Sequence, residues 1–102
     1  MTKIGDKAFY KCSSMTKITI PSNVKKIGKR AFYKCNKLKY INIKTCKLNS
    51  KNVGSEALKG INSKAGIQVP KKKLNSYKKM LKKKGIGSKI KVYYSVTIRV
   101  YE

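Results

Sequence analysis

Apolar residues in this chain fall into two alternating phrases that return at a nearly constant interval. The first phrase reads Ile27-Gly28-Lys29-Arg30-Ala31-Phe32-Tyr33-Lys34-Cys35 at its clearest. It stands 23 positions earlier as Ile4-Gly5-Asp6-Lys7-Ala8-Phe9-Tyr10-Lys11-Cys12, and 26 positions later, more worn, as Val53-Gly54-Ser55-Glu56-Ala57-Leu58-Lys59-Gly60-Ile61. Behind each copy comes a second phrase: Met15-Thr16-Lys17-Ile18-Thr19-Ile20, then Leu38-Lys39-Tyr40-Ile41-Asn42-Ile43, then Ile67-Gln68-Val69, with Pro21 and Pro70 closing the first and third. Repetition at this period means one supersecondary unit stacked upon itself, because a single unit cannot bury its own apolar face.

Within the second phrase, apolar and polar residues alternate, the mark of a half-buried strand. Stacking the copies predicts a short parallel sheet of about three rungs with strands about 4.8 Å apart. Its inward residues are Ile18/Ile20, Ile41/Ile43 and Ile67/Val69. Its outward residues form two columns, Lys17–Tyr40–Gly66 and Thr19–Asn42–Gln68. In the first phrase Ala8/Ala31 and Phe9/Phe32 are expected to point inward, small beside large. Gly5, Gly28 and Gly54 are expected to sit where the backbone turns tightly or takes a positive φ. Lys7, Arg30 and Glu56 fall in one column, so Arg30 and Glu56 are placed to pair. Residues 44–52 absorb three extra positions, and insertions in stacked repeats go to loops; a bulged turn with Leu48 or Cys46 reaching inward is expected there.

After Pro70 the period changes. Leu74, Tyr77 and Leu81 share one helical face with Met80 beside it, and eight Lys fill the rest of Lys71–Gly85. Gly85 suits the position just past a helix end, and Lys82–Lys84 suit its negative pole, whereas Lys71–Lys73 oppose the dipole and predict a frayed first turn. The helix is read as a cap on the apolar core of the last rung, which stacked repeats require; a membrane-surface or partner-binding helix is the alternative. From Lys89 to Glu102, Ile90, Val92, Tyr94, Val96, Ile98 and Val100 recur at period two, a long strand pattern that would pair on the sheet edge or with a neighbouring chain.

The joint pattern, Ile-Gly-x-x-Ala-Phe-x-x-Cys with Leu-x-x-Ile-x-Ile-Pro, resembles the BspA-like leucine-rich repeat family of bacterial surface proteins over about residues 3–70. The resemblance implies a right-handed repeat solenoid, an extracellular or cell-surface setting, and a binding rather than catalytic role. The chain then divides into repeats over 1–70, a capping helix over 71–85 and a strand-like tail over 86–102. An exported protein needs a leader, yet Met1-Thr2-Lys3 runs directly into the repeat with no apolar stretch. The chain is therefore expected to be the C-terminal piece of a longer protein. No apolar run approaches the roughly 20 residues of a transmembrane helix.

Charge narrows the partners. Against 27 Lys+Arg stand 3 Asp+Glu, a formal +24 at pH 7. Such a field attracts anions and opposes self-association, so a monomer is expected, with edge pairing open to the first rung or the C-terminal strand. Only Arg30 and Arg99 are arginines, and arginine is the residue suited to bidentate phosphate and base contacts. A solvated lysine coat and a polyanion-binding surface both fit.

Chemistry is sparse. There is no His, and Asp6, Glu56 and Glu102 lie far apart, so general acid–base work lacks its usual groups. A cysteine nucleophile needs a base beside it, and only Lys is on offer. Cys12, Cys35 and Cys46 match no metal-ligand spacing. Cys12 and Cys35 hold equivalent positions and read as small core groups, with parallel rather than facing Cβ vectors that disfavour a disulfide. No catalytic, metal or cofactor residue is assigned, and no cofactor is expected. The expected function is non-enzymatic binding or adhesion, with Lys17, Thr19, Tyr40, Asn42 and Gln68 facing a ligand and Lys78, Lys79 and Lys82 available to polyanions. Partners would be host or bacterial surface proteins or acidic polymers, with nucleic acid bound only non-specifically. The stacked Tyr10 and Tyr33 either shield an edge or meet a ligand. The rival readings are a basic nucleic-acid-binding protein and a purely structural end cap.

Overall fold

A computed structural model describes residues 2–94. Its backbone is built on two parallel ladders. The larger is a four-stranded sheet in the order β2 (Lys17–Ile20), β4 (Tyr40–Ile43), β5 (Gly66–Gln68) and β6 (Lys91–Tyr93). Every neighbouring pair is parallel, in the register Ile18↔Ile41↔Ile67↔Val92. The smaller ladder joins β1 (Lys3–Ile4) to β3 (Lys26–Ile27), also parallel, and continues through a single bridge from Ile27 to Val53. This second ladder is not what the sequence pattern predicts, since the Ile-Gly dipeptides read as turns. Two-residue strands carry no periodicity of their own.

Between the ladders, each Ala-Phe phrase is a run of turns with a strict alternation of hydrogen bonds. In the first copy the amides of Ala8, Tyr10 and Cys12 donate three residues back, to Gly5, Lys7 and Phe9. The amides of Lys7, Phe9 and Lys11 donate instead to Lys29, Ala31 and Tyr33 of the next copy, 2.7–2.9 Å away. The second copy repeats the scheme onto Ser55, Ala57 and Lys59. Backbone groups that an irregular segment would leave open are thus satisfied by the neighbouring repeat.

The glycines do different work from that expected. Gly5, Gly28 and Gly54 do not take positive φ; that conformation falls to Lys7, Lys11, Arg30, Lys34 and Glu56, and to Gly60 and Gly85. What Gly28 and Gly54 supply is room. A Cβ on Gly28 would lie 2.4 Å from the Asp6 amide nitrogen, and one on Gly54 would lie 2.3 Å from that of Lys29. Gly5 has nothing within 4 Å.

The core follows the columns. Ala31, Phe32, Cys35, Leu38, Ile41, Ile43, Ala57, Leu58 and Ile67 are buried, joined by Ile27 and Val53 from the small ladder and by Val24 just before it. Phe9 stacks on Phe32 with centroids 5.3 Å apart and planes 6° from parallel. Ala8, expected inside, is exposed, and Phe9 and Ile18 are half-buried, because no described residue packs against the far side of the first repeat. In the 44–52 turn it is Leu48 that reaches in, with Thr45 fully buried beside it, while Cys46 is half-buried.

The helix α1 spans Leu74–Lys83 and is preceded by one 3₁₀ turn, Lys71–Lys73. No side chain caps its start and no acid lies in its first turn, so the entry is tighter and shorter than a helix from residue 71 would be. It ends in a Schellman arrangement: Ile86 N–H donates to Leu81 C=O and Gly85 N–H to Lys82 C=O, with Gly85 at φ 107°. Tyr77, Met80 and Leu81 are buried and Leu74 half-buried. Tyr77 pins the 44–52 turn, its hydroxyl donating to Thr45 C=O at 2.7 Å and accepting from Leu48 N–H at 3.2 Å. Burial holds this phenol above its ordinary pKa. The helix does not finish the stack as a terminal cap would. Leu58 N–H donates to Lys84 C=O, and after Gly85 the chain returns as β6 beside β5. The strand within the tail covers three residues of the expected long run; 95–102 lie outside the described residues, and so does that part of the expectation.

Candidate functional site: the outward face of the parallel sheet

Parallel register with period-two alternation fixes what the four-stranded sheet shows to solvent. One outward column is Lys17–Tyr40–Gly66–Lys91 and the other Thr19–Asn42–Gln68–Tyr93. All five residues expected to face a ligand therefore stand on one face, side by side. Lys17 and Thr19 are exposed, and Asn42 and Gln68 half-buried. Tyr40 is 63% exposed and Tyr93 43%, the two exposed large apolar side chains among the described residues. Lys17, Thr19, Tyr40, Asn42, Gln68 and Tyr93 line one shallow groove.

Gly66 shapes that groove. Set between Tyr40 and Lys91, it has no side chain, and the Tyr93 ring lies over the vacant place; a Cβ there would be 3.1 Å from Tyr93 Cε1. Lys91 and Tyr93 alternate with Ile90 and Val92 of the tail pattern and complete the two columns, but they are not among the residues expected to face a ligand. The signal available was the interval: Gly66 to Lys91 is 25 positions, between the 23 and 26 of the earlier repeats.

Lys78, Lys79 and Lys82 are all exposed, but they do not form one patch. Lys78 and Lys82 border a groove shared with Ile86, Ile90, Val92 and Tyr93, next to the last strand. Lys79 borders another, with Leu48, Asn49, Tyr77 and Lys83.

Elsewhere Glu56, Arg30 and Cys35 are engaged. Glu56 accepts from Arg30 Nε at 2.9 Å and pairs with Lys59 at 3.2 Å. The hydrogen bond from Arg30 holds the Glu56 carboxyl below the usual carboxylate range and raises the guanidinium further. This is the pair placed by the repeat column, and exposure to water leaves it a weak contact. Cys35 is buried, its thiol donates to Phe9 C=O at 2.9 Å, and burial pushes its pKa up, which keeps it protonated and unreactive. Cys12, Cys35 and Cys46 are free thiols. Among the described residues no three His, Cys, Asp or Glu side chains gather as metal ligands would, and no helix is long and apolar enough to cross a membrane.

Parallel strands returning at 23, 26 and 25 residues, with an inward aliphatic column and an outward polar one, define a leucine-rich-repeat protein. The model of the BspA type leucine-rich repeat region, six copies long, matches residues 1–98, and the chain belongs to that family. The match extends well past residue 70, over the helix and β6. This family is associated with bacterial surface proteins. No curated protein and no solved structure matches the chain.

Proposed function

We propose that this chain is a non-enzymatic binding module of a secreted or cell-surface protein, a solenoid of successive coils that displays the outward sheet face to a ligand. The supporting observation is the coincidence of Tyr40 and Tyr93 on that one face. Exposed aromatics that flank a polar groove are the anchors of protein recognition, because they bury large area at little entropic cost. Asn42, Gln68 and Thr19 add donors and acceptors in a row, and Lys17 and Lys91 at the ends favour an acidic partner surface. Host or bacterial surface proteins, or acidic polymers, fit these features. Rigid register makes the face pre-organised, so little ordering is needed on binding.

The formal +24 favours a second reading, a nucleic-acid-binding protein. Against it stands the lysine bias, since arginine makes the commonest specific base contact. The test uses beads coated with the full chain and an array of immobilised extracellular-matrix and bacterial-envelope proteins. Tyr40→Ala with Tyr93→Ala should reduce retention on any positive spot by about tenfold or more, as loss of hot-spot anchors does. Lys51→Ala with Lys64→Ala should change it little. Retention unaffected by the tyrosine pair sinks the sheet-face reading.

A further inference from the structure

A second surface, sharing no residue with the sheet face, is built on the Ala-Phe phrases. Tyr10 and Tyr33 stack with centroids 5.3 Å apart and planes 7° from parallel. Each ring is flanked by two cations: Lys7 at 5.3 Å and Lys11 at 5.4 Å for Tyr10, Arg30 and Lys34 at 5.4 Å each for Tyr33. The same cation–phenol–cation triad thus occurs twice, one repeat apart.

Backbone conformation supplies an independent observation. All four cations stand at left-handed φ: 56° at Lys7, 55° at Lys11, 54° at Arg30 and 56° at Lys34. A residue with a Cβ is disfavoured there and glycine is not. At the place of Lys11 and Lys34 the later repeats carry Gly60 and Gly85, both at positive φ. At Lys11 and Lys34 long cations stand where the later repeats have glycine, and these are the two repeats with the tyrosine pair; in the Lys7/Arg30 column Glu56 of the third repeat also takes φ 55°, so that column shows no such contrast. Strain of this kind, when observed, points to a use. In the third repeat the strip stops, because Glu56 folds onto Arg30 and Lys59.

We infer that the Lys7–Tyr10–Lys11 and Arg30–Tyr33–Lys34 triads form a binding strip for a linear acidic polysaccharide, one carboxylate or sulfate per sugar ring. Three features choose this ligand over a nucleic acid. The facing sides of the two rings are closed against each other at 5.3 Å, leaving no room for a base between them, whereas single-strand binders stack bases on open aromatic faces. Arg30 is held by Glu56, so the contacts fall to Lys7, Lys11 and Lys34, which lack the rigid fork with which arginine reads base edges. The cation rows repeat at about the 4.8 Å spacing of neighbouring strands, close to the length of one sugar ring along a polyuronate. Phenol hydroxyls between the rows can donate to the same acidic groups.

The experiment titrates the full chain with hexagalacturonate by calorimetry at about 0.15 M salt, where the Debye length is about 8 Å and a diffuse charge field contributes little. Hexathymidylate is the nucleic-acid probe. Lys7→Gln/Lys11→Gln/Lys34→Gln should bind hexagalacturonate about tenfold or more weakly, the equivalent of one or two charge-assisted contacts. Lys47→Gln/Lys51→Gln/Lys64→Gln, which removes the same charge elsewhere, should change affinity by less than about twofold. Lys11→Gly/Lys34→Gly should lose affinity while melting at or above the parent temperature, which a merely structural role for these lysines would not produce. Equal losses in the two glutamine variants would overturn the strip in favour of diffuse charge, and tighter binding of hexathymidylate would overturn it in favour of nucleic acid. Tyr40→Ala/Tyr93→Ala should bind hexagalacturonate like the parent, so a failed sheet-face reading leaves this result intact.

Discussion

At the scale of single residues, three glycines in equivalent positions have unequal duties. Gly28 and Gly54 lie where the backbones of successive repeats touch, and a methyl group on Gly28 would meet the Asp6 amide nitrogen at 2.4 Å. Gly5 opens onto free space. Gly28→Ala is therefore expected to lower stability by several kcal/mol, since backbone cannot yield as a flexible side chain does, in line with overpacking of about 1–3 kcal/mol or more. Gly5→Ala should be neutral or stabilise by up to about 1 kcal/mol through the unfolded state. Urea melts of the two variants check this, and matching losses would show that the three glycines share a conformational role after all. The sequence shows glycine recurring at these positions but not why, because lack of room and positive φ leave the same letter. Of the five non-glycine positive-φ sites among the described residues three are lysines, which nothing in a single sequence distinguishes from any other surface lysine.

At the scale of elements, the outward columns of the sheet are legible because two periods interlock: alternation within a strand, and a return every 23 to 26 residues between strands. Lys17, Tyr40 and Gly66 fall into register from counting alone. The β1–β3 ladder is not legible, since its strands are two residues long and its Ile-Gly pairs look like turns. The fourth strand is half legible: its alternation is visible and the sheet edge is one of the two partners it suggests, but the phrase that should announce it is replaced by α1. That helix buries Tyr77, Met80 and Leu81 against the repeats and turns Lys78, Lys79 and Lys82 outward. Leu81→Ala should cost about 2–5 kcal/mol and lower the melting temperature of the whole domain in one cooperative step, as a large-to-small core change does. Lys78→Glu/Lys79→Glu/Lys82→Glu should keep the melt and weaken binding to anionic vesicles and polymers. If Leu81→Ala spares the melt and abolishes vesicle binding, α1 is a membrane or partner element and not part of the packed repeat.

At the scale of the whole molecule, charge and shape set which interactions can be selective. The described fold measures 48 × 25 × 24 Å. At about 0.01 M salt the Debye length is about 30 Å, so every lysine on it acts on an approaching polyanion at once; at about 0.15 M it is about 8 Å, and each patch acts alone. Two regimes follow. At low salt heparin, duplex DNA and teichoic acid should bind with comparable affinity, because only the total field matters. As salt rises, a duplex bound through 6–10 phosphates should lose about 10³–10⁵ in affinity between about 50 and 200 mM, with log K falling linearly in log salt. What survives should be the contacts that geometry organises: the Tyr40–Tyr93 face, whose hydrogen bonds and apolar area are insensitive to screening, and the close lysine–anion contacts of the Tyr10–Tyr33 strip, which lie within the Debye length. Fluorescence titrations of the full chain against the three polymers across this salt range give the slopes directly. Sequence-selective duplex binding that persists at about 0.15 M would reverse the ranking, making nucleic acid the partner and the lysine field its reader.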